Sequence, residues 1–207
     1  MAAQVIELVG VETYRVAAEA ALGRMGAAIS GQLVDALLDQ ELPAIVRRRL
    51  PQVMRTSGDR RAARGLFDGL DDLNFDVRKR CAAALVQMQR ADPTLTFPAQ
   101  RIYEVAEREA QSDLDHLFAI LSLALDREAL GLSRRALASE DPNLKGTALE
   151  YLYNVLPPDI RSEVWPRLAD GAPPPEGASP PSELVRTMES LMINRDDLLA
   201  EIDGNDS

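Results

Sequence analysis

One segment recurs along this chain and limits what the chain can fold into. Tyr14-Arg15, Val46-Arg47, Val77-Arg78 and Leu144-Lys145 each open a stretch of the same form. Four residues further on stand Ala18, Leu50, Cys81 and Ala148, and eight further on Leu22, Met54, Leu85 and Leu152. The heads lie 32, 31 and 67 residues apart, the last close to two periods, so an irregular copy is expected between 77 and 144. A spacing of i, i+4, i+8 puts each set on one face of a helix. A lone helix cannot bury such a face. Each copy is preceded by a second helical run, at 27–38, 59–70 and 127–138. The unit is therefore helix–turn–helix, and stacked units would share one continuous core.

Composition agrees with an all-α chain. Apolar residues make up 46% but aromatics only 4%, with Ala and Leu dominant, and these lose little freedom in a helix. The expected fold is an α–α superhelix of about five helix pairs over 1–170. Residues 1–10 read as the end of a first helix closed by Gly10, and 12–25 as the second. Pro43 suits the first turn of a helix at 43–55, whereas Pro51 in its interior should kink it. Ser57 or Asp59, then Asn74, should cap the next two helices. Two longer helices follow at about 98–111 and 113–125, the latter being the irregular copy. Asp141-Pro142-Asn143 caps a helix at 143–155, and Pro157-Pro158 starts a short one to Leu168.

The run at 171–181, with five prolines, reads as a linker or loop. Beyond it, 182–207 reads as the start of a further repeat, apparently truncated. It would hold a helix at 182–192 and a last one at 195–202 capped by Asn194. On this reading the segment belongs to something longer.

Short helical pairs with Asp-x-Val-Arg turns and Ala/Leu-rich second helices resemble HEAT (armadillo-like) repeats, and the short period is similar to the phycobilisome-lyase-type variety. Residues 76–88 and 141–145 carry the likeness best. More narrowly, VRRRLPQVM at 46–54, DVRKRCAAALVQM at 76–88, TFP at 96–98 and ALEYLYNVLP at 148–157 look like a bacterial arrangement. They resemble the cytosolic HEAT portion of membrane proteins with a nucleotide-transporter-like, major-facilitator-type domain. The resemblance implies a non-catalytic scaffold that binds a protein partner, the soluble regulatory part of a transporter-like protein, working in the cytoplasm or at the cytosolic face of the inner membrane. The alternatives it leaves open are a lyase-type protein binding a chromophore and a DNA-binding solenoid.

Charge bears on those alternatives. Residues 1–90 carry 13 basic and 11 acidic side chains, and 91–207 carry 10 and 22. An acidic second half disfavours general nucleic-acid binding, which needs clustered cations. No apolar run approaches the length of a membrane span. Cys81 and His116 stand alone of their kinds, so neither a disulfide nor the usual zinc site can be built within the chain, and no metal or cofactor is expected.

Arg15, Arg47 and Arg78 read best as bridges to acidic turn residues of an adjacent unit, such as Glu41, Asp72 or Asp76. The acid pairs Asp71-Asp72, Glu140-Asp141 and Asp196-Asp197 fall at turns or helix starts, where capping outranks acid–base chemistry. No phosphate-loop, dinucleotide or serine-hydrolase motif occurs, and no catalytic residue is proposed. Solenoids bind through the surface lined by their second helices. The outward positions there are Arg48, Gln52, Arg55, Lys79, Ala83, Glu150 and Tyr153, which form the candidate partner-binding surface.

Overall fold

The structure is a computed structural model. It describes residues 2–170, 173, 175 and 179–204, with side chains up to 193. The chain is all-helical, with no strand among the described residues. It divides into two compact units, Met1–Val105 and Ala106–Ser207.

The first unit comprises α1 (Ala2–Leu8), α2 (Arg15–Met25), α3 (Ser30–Leu38), α4 (Ala44–Arg47), α5 (Leu50–Ser57), α6 (Arg60–Asp68) and α7 (Phe75–Ala91). Single 3-10 turns precede α3 and follow α6. Two rows are built: α1 packs on α3 and α3 on α6, while α2 packs on α5 and α5 on α7. α5 also touches α3 and α6, and α6 touches α7, which closes the rows over one core. The recurring apolar sets supply that core. Val46, Leu50, Met54, Val77, Cys81 and Leu85 are buried, as are Ala18 and Leu22. Tyr14 is the exception, at 55% exposure. α2 begins only at Arg15, so Tyr14 sits in the N-cap position, outside the regular helical face.

Pro51 acts more sharply than a kink. The expected helix at 43–55 is split into α4 and α5, with Arg48 and Arg49 between them. Proline has no N–H for the carbonyl four residues back, and its ring crowds that carbonyl. The chain therefore restarts, with Pro51 in the first turn of α5, where the missing donor costs nothing. Gly58 ends α5 at φ +66°, a left-handed conformation natural to glycine. Asp59 and Asn74 then cap α6 and α7 by accepting from the backbone N–H groups of Ala62, and of Asp76 and Val77.

α3 and α6 approach closely at Gly65, where an added Cβ would collide with the Val34 side chain. Gly65→Ala is expected to lower stability by up to about 2 kcal/mol. The added Cβ would lie within 2.8 Å of both Val34 methyl carbons. That puts overpacking toward the upper part of its range of about 1–3 kcal/mol, above the ~1 kcal/mol alanine gains over glycine in a helix. A urea midpoint at or above that of the parent protein would show that Val34 moves aside without cost.

α8 (Ala99–Arg108) crosses the division between the units. The second unit continues with α9 (Leu114–Leu121), α10 (Arg127–Leu137), α11 (Pro142–Val155), α12 (Pro158–Leu168) and α13 (Pro181–Gly204). Asp113, Asp126 and Asp141 cap α9, α10 and α11 through their carboxylates. α10, α11 and α13 pack mutually around Leu144, Ala148, Leu152, Leu184 and Met188. α12 is tied back by Arg167, which donates to the carbonyls of Ala110 and Ser112 at 2.6 Å each.

The C-terminal stretch departs from the reading of two helices. α13 runs unbroken through Asn194. Nothing around Asn194 stops a helix: no proline or glycine stands near it, and an interior asparagine costs less than about 0.7 kcal/mol. Most of the Pro-rich run at 171–181 lies outside the described residues.

Candidate functional site

The second helices of the first unit enclose a groove of about 420 Å3 lined by Glu12, Arg15, Glu19, Arg48, Arg49, Gln52 and Arg80. Three pieces of local structure bring these residues together. The turn before α2 supplies Glu12. The break forced by Pro51 supplies Arg48 and Arg49. The middle of the first turns of α7 supplies Arg80.

The arginines of the break do different work. Arg47 is buried and forms an ion pair with Asp72, whose side chain is 1% exposed. Its Nε also donates to the carbonyl of Leu42 at 3.1 Å. This is the expected bridge between one helix pair and the turn of the next. Arg49 turns the other way, donating to the carbonyl of Val9 at 2.6 Å and to Glu12 at 2.7 Å. Arg48 lines the groove beside Arg49 but is held more loosely, with only Asp76 at 3.6 Å; the Arg48 side chain is partly exposed and that of Asp76 exposed.

Arg78 does not repeat the Arg47 geometry. It donates to the carbonyls of Asp72 and Leu73 in its own turn, at 2.9 and 3.2 Å, and lies over the Phe75 ring. Arg15 likewise pairs locally, with Glu12 at 3.2 Å and Glu19 at 3.8 Å. Hydrogen bonds first from Arg49 and then from Arg15 hold the Glu12 carboxyl below its usual range. The groove thus carries fixed, compensated charge along its α2 wall. On its α5–α7 side, Gln52 and Arg80 are exposed and have no polar partner among the described residues.

The seven candidate positions are therefore distributed. Arg48 and Gln52 share the groove. Arg55 lines a separate one of about 430 Å3, with Asp59, Gln87 and Asp92. Lys79 and Ala83 are exposed on α7. Glu150 and Tyr153 belong to the second unit. Glu150 accepts from the backbone N–H of Ser179 at 3.1 Å. Tyr153 is half-buried, edge-on to Trp165 at 5.3 Å and under the Arg161 guanidinium at 4.2 Å. The groove also holds Arg80, Arg49, Glu12 and Glu19, which the candidate surface did not include. One signal for Arg80 was available: it follows Arg49 by one period of 31.

The remaining chemistry-bearing residues are internal. Cys81 is fully buried, and burial, with Asp72's charge after it, pushes its thiol well above the ordinary range. A reactive thiolate needs the opposite surroundings. His116 is a core histidine, its Nε2 3.6 Å from the Glu109 carboxylate, which is 3% exposed. Burial pushes the Tyr151 phenol up to about 12. Among the described residues, no group of three or more His, Cys, Asp or Glu is placed to hold a metal ion, and no helix is long and apolar enough to cross a membrane.

Asp59 gives the first unit an acid-sensitive cap. Burial raises its carboxyl, but hydrogen bonds from Ser30, the Ala62 backbone and Ser57 outweigh that and hold it below the ordinary value. A lowered folded-state value means a contribution present above the unfolded value and lost as pH falls through the folded one. Stability should therefore fall below about pH 4, and Asp59→Asn, which keeps a capping oxygen, should flatten that fall. An unchanged slope of urea midpoint against pH would remove Asp59 from the account.

No protein-family model matches this chain, and no curated protein matches it.

Proposed function

We propose that this chain is a HEAT-type solenoid segment that binds a protein partner, without catalysis, through the surface of its second helices. The observation that carries the reading is the groove across three successive second helices. Its inner charges are satisfied within the fold, while Arg48, Gln52 and Arg80 face outward. The 31-residue recurrence and the paired rows of helices support the same reading. In its narrower form, the segment is the cytosolic regulatory part of a bacterial transporter-like membrane protein.

Site-specific photo-crosslinking tests the broader claim. Benzoylphenylalanine at Gln52 should give a discrete adduct, reproduced with the purified partner once mass spectrometry names it. The same probe at Arg64, exposed on the other row of helices, should give none. Equal labelling at both positions, or none at Gln52, would count against the proposal. The narrower form is tested by the reading frame around the segment, where membrane spans are expected.

A further inference from the structure

We infer that the groove selects an acidic segment of its protein partner, an inference that rests on the protein-binding reading above. The open side of the groove is made of donors. Arg48 and Arg80 present guanidinium groups, whose planar forks match carboxylates, and Gln52 lies in the same groove with an amide. Neither guanidinium is committed. The contact of Arg48 with Asp76 is 3.6 Å between side chains 37% and 59% exposed, a solvent-screened pair that a ligand carboxylate can displace. Arg80 is exposed, with no ion pair among the described residues.

The opposite wall decides between anions. Glu12 and Glu19 stand there, held by Arg15 and Arg49, and the Glu12 carboxylate is kept ionised. A nucleic-acid strand carries a phosphate at every step and would set some of them against these carboxylates. A peptide places its charges on chosen side chains. It can offer carboxylates to Arg48 and Arg80 and leave the glutamate wall to neutral or basic residues. The groove therefore favours a polypeptide with local acidic character over a uniform polyanion.

The test uses the full chain and three fluorescent probes. These are a twelve-residue peptide alternating Glu and Ala, the same peptide with Gln for Glu, and a single-stranded oligonucleotide of equal charge. The acidic peptide should bind in low salt and release as salt rises, with the neutral peptide and the oligonucleotide bound more weakly. Arg48→Glu with Arg80→Glu should weaken the acidic peptide about tenfold or more. Arg48→Gln with Arg80→Gln should weaken it less. Arg24→Glu with Arg64→Glu, the same charge change at exposed sites elsewhere in the unit, should leave it within about twofold. Equal loss in both reversal pairs would reduce the effect to net charge and overturn the inference, as would tighter binding of the oligonucleotide. If the acidic peptide binds no better than the neutral one while Gln52 still crosslinks to a partner, the acidic assignment falls and the protein-binding reading stands. If both fail, both fall.

Discussion

Arg47→Ala is expected to lower the free energy of unfolding by about 3–5 kcal/mol. The reason lies less in the strength of the ion pair than in what its loss leaves behind. The Arg47 and Asp72 side chains are 6% and 1% exposed. Two ions taken out of water gain little net stability from each other, but removing one strands the other in a medium that solvates it poorly. Asp72 would keep only its hydrogen bonds from Gln40 and from the Asn74 backbone, at 3.1 and 2.7 Å. A second substitution separates the two effects. Adding Asp72→Asn to Arg47→Met removes the stranded charge and keeps an acceptor for Asn74, so the double variant should be more stable than Arg47→Met by at least about 1 kcal/mol. Urea unfolding of the series decides it. A single-variant loss below about 1 kcal/mol would mean that the pair is dispensable, and no recovery in the double would mean that the loss does not come from the stranded Asp72 charge.

Leu85→Ala is expected to cost about 2–5 kcal/mol, through lost burial and the cavity left behind. Leu85 is fully buried on α7, in register with Met54 of α5 one period earlier. α7 packs against both α5 and α6, so collapse around the gap is restricted. Arg48→Ala, at the break before α5 on the open side of the groove, should shift stability by about 0.5 kcal/mol or less. Comparable losses at the two sites in the same denaturant series would contradict the division of these helices into a core face and an open face.

How far the sequence revealed this arrangement depends on which axis is asked about. A period of i, i+4, i+8 orients a side chain about its own helix. Val77, Cys81 and Leu85 were therefore legible as core, as were the capping roles of Asn74 and Asp141. Asp72 is among the acidic turn residues of the adjacent unit that the sequence offers to Arg47, 25 residues before it. What the period does not contain is lateral register, the positions at which neighbouring helices meet. Arg80 reaches the groove beside Arg48, although repeat alignment pairs Arg48 with Lys79. Glu109, just past the end of α8, lies buried beside His116, a pairing that no spacing in the sequence marks. Asn194 reads as a cap by residue type, but a cap also requires the preceding chain to leave the helix, and there it does not.

The turn at Asp72 has a consequence for how this chain can vary in length. Its carboxylate receives Gln40 from the preceding turn, Arg47 from α4 and the Asn74 N–H, while its carbonyl accepts from Arg78. Four segments meet at one residue, each with a fixed reach. An inserted or deleted residue at 39–43 or at 72–74 would break that convergence, whatever its side chain. Such a junction restricts variation to substitution, and a helix pair can be exchanged for another only with its turn lengths intact.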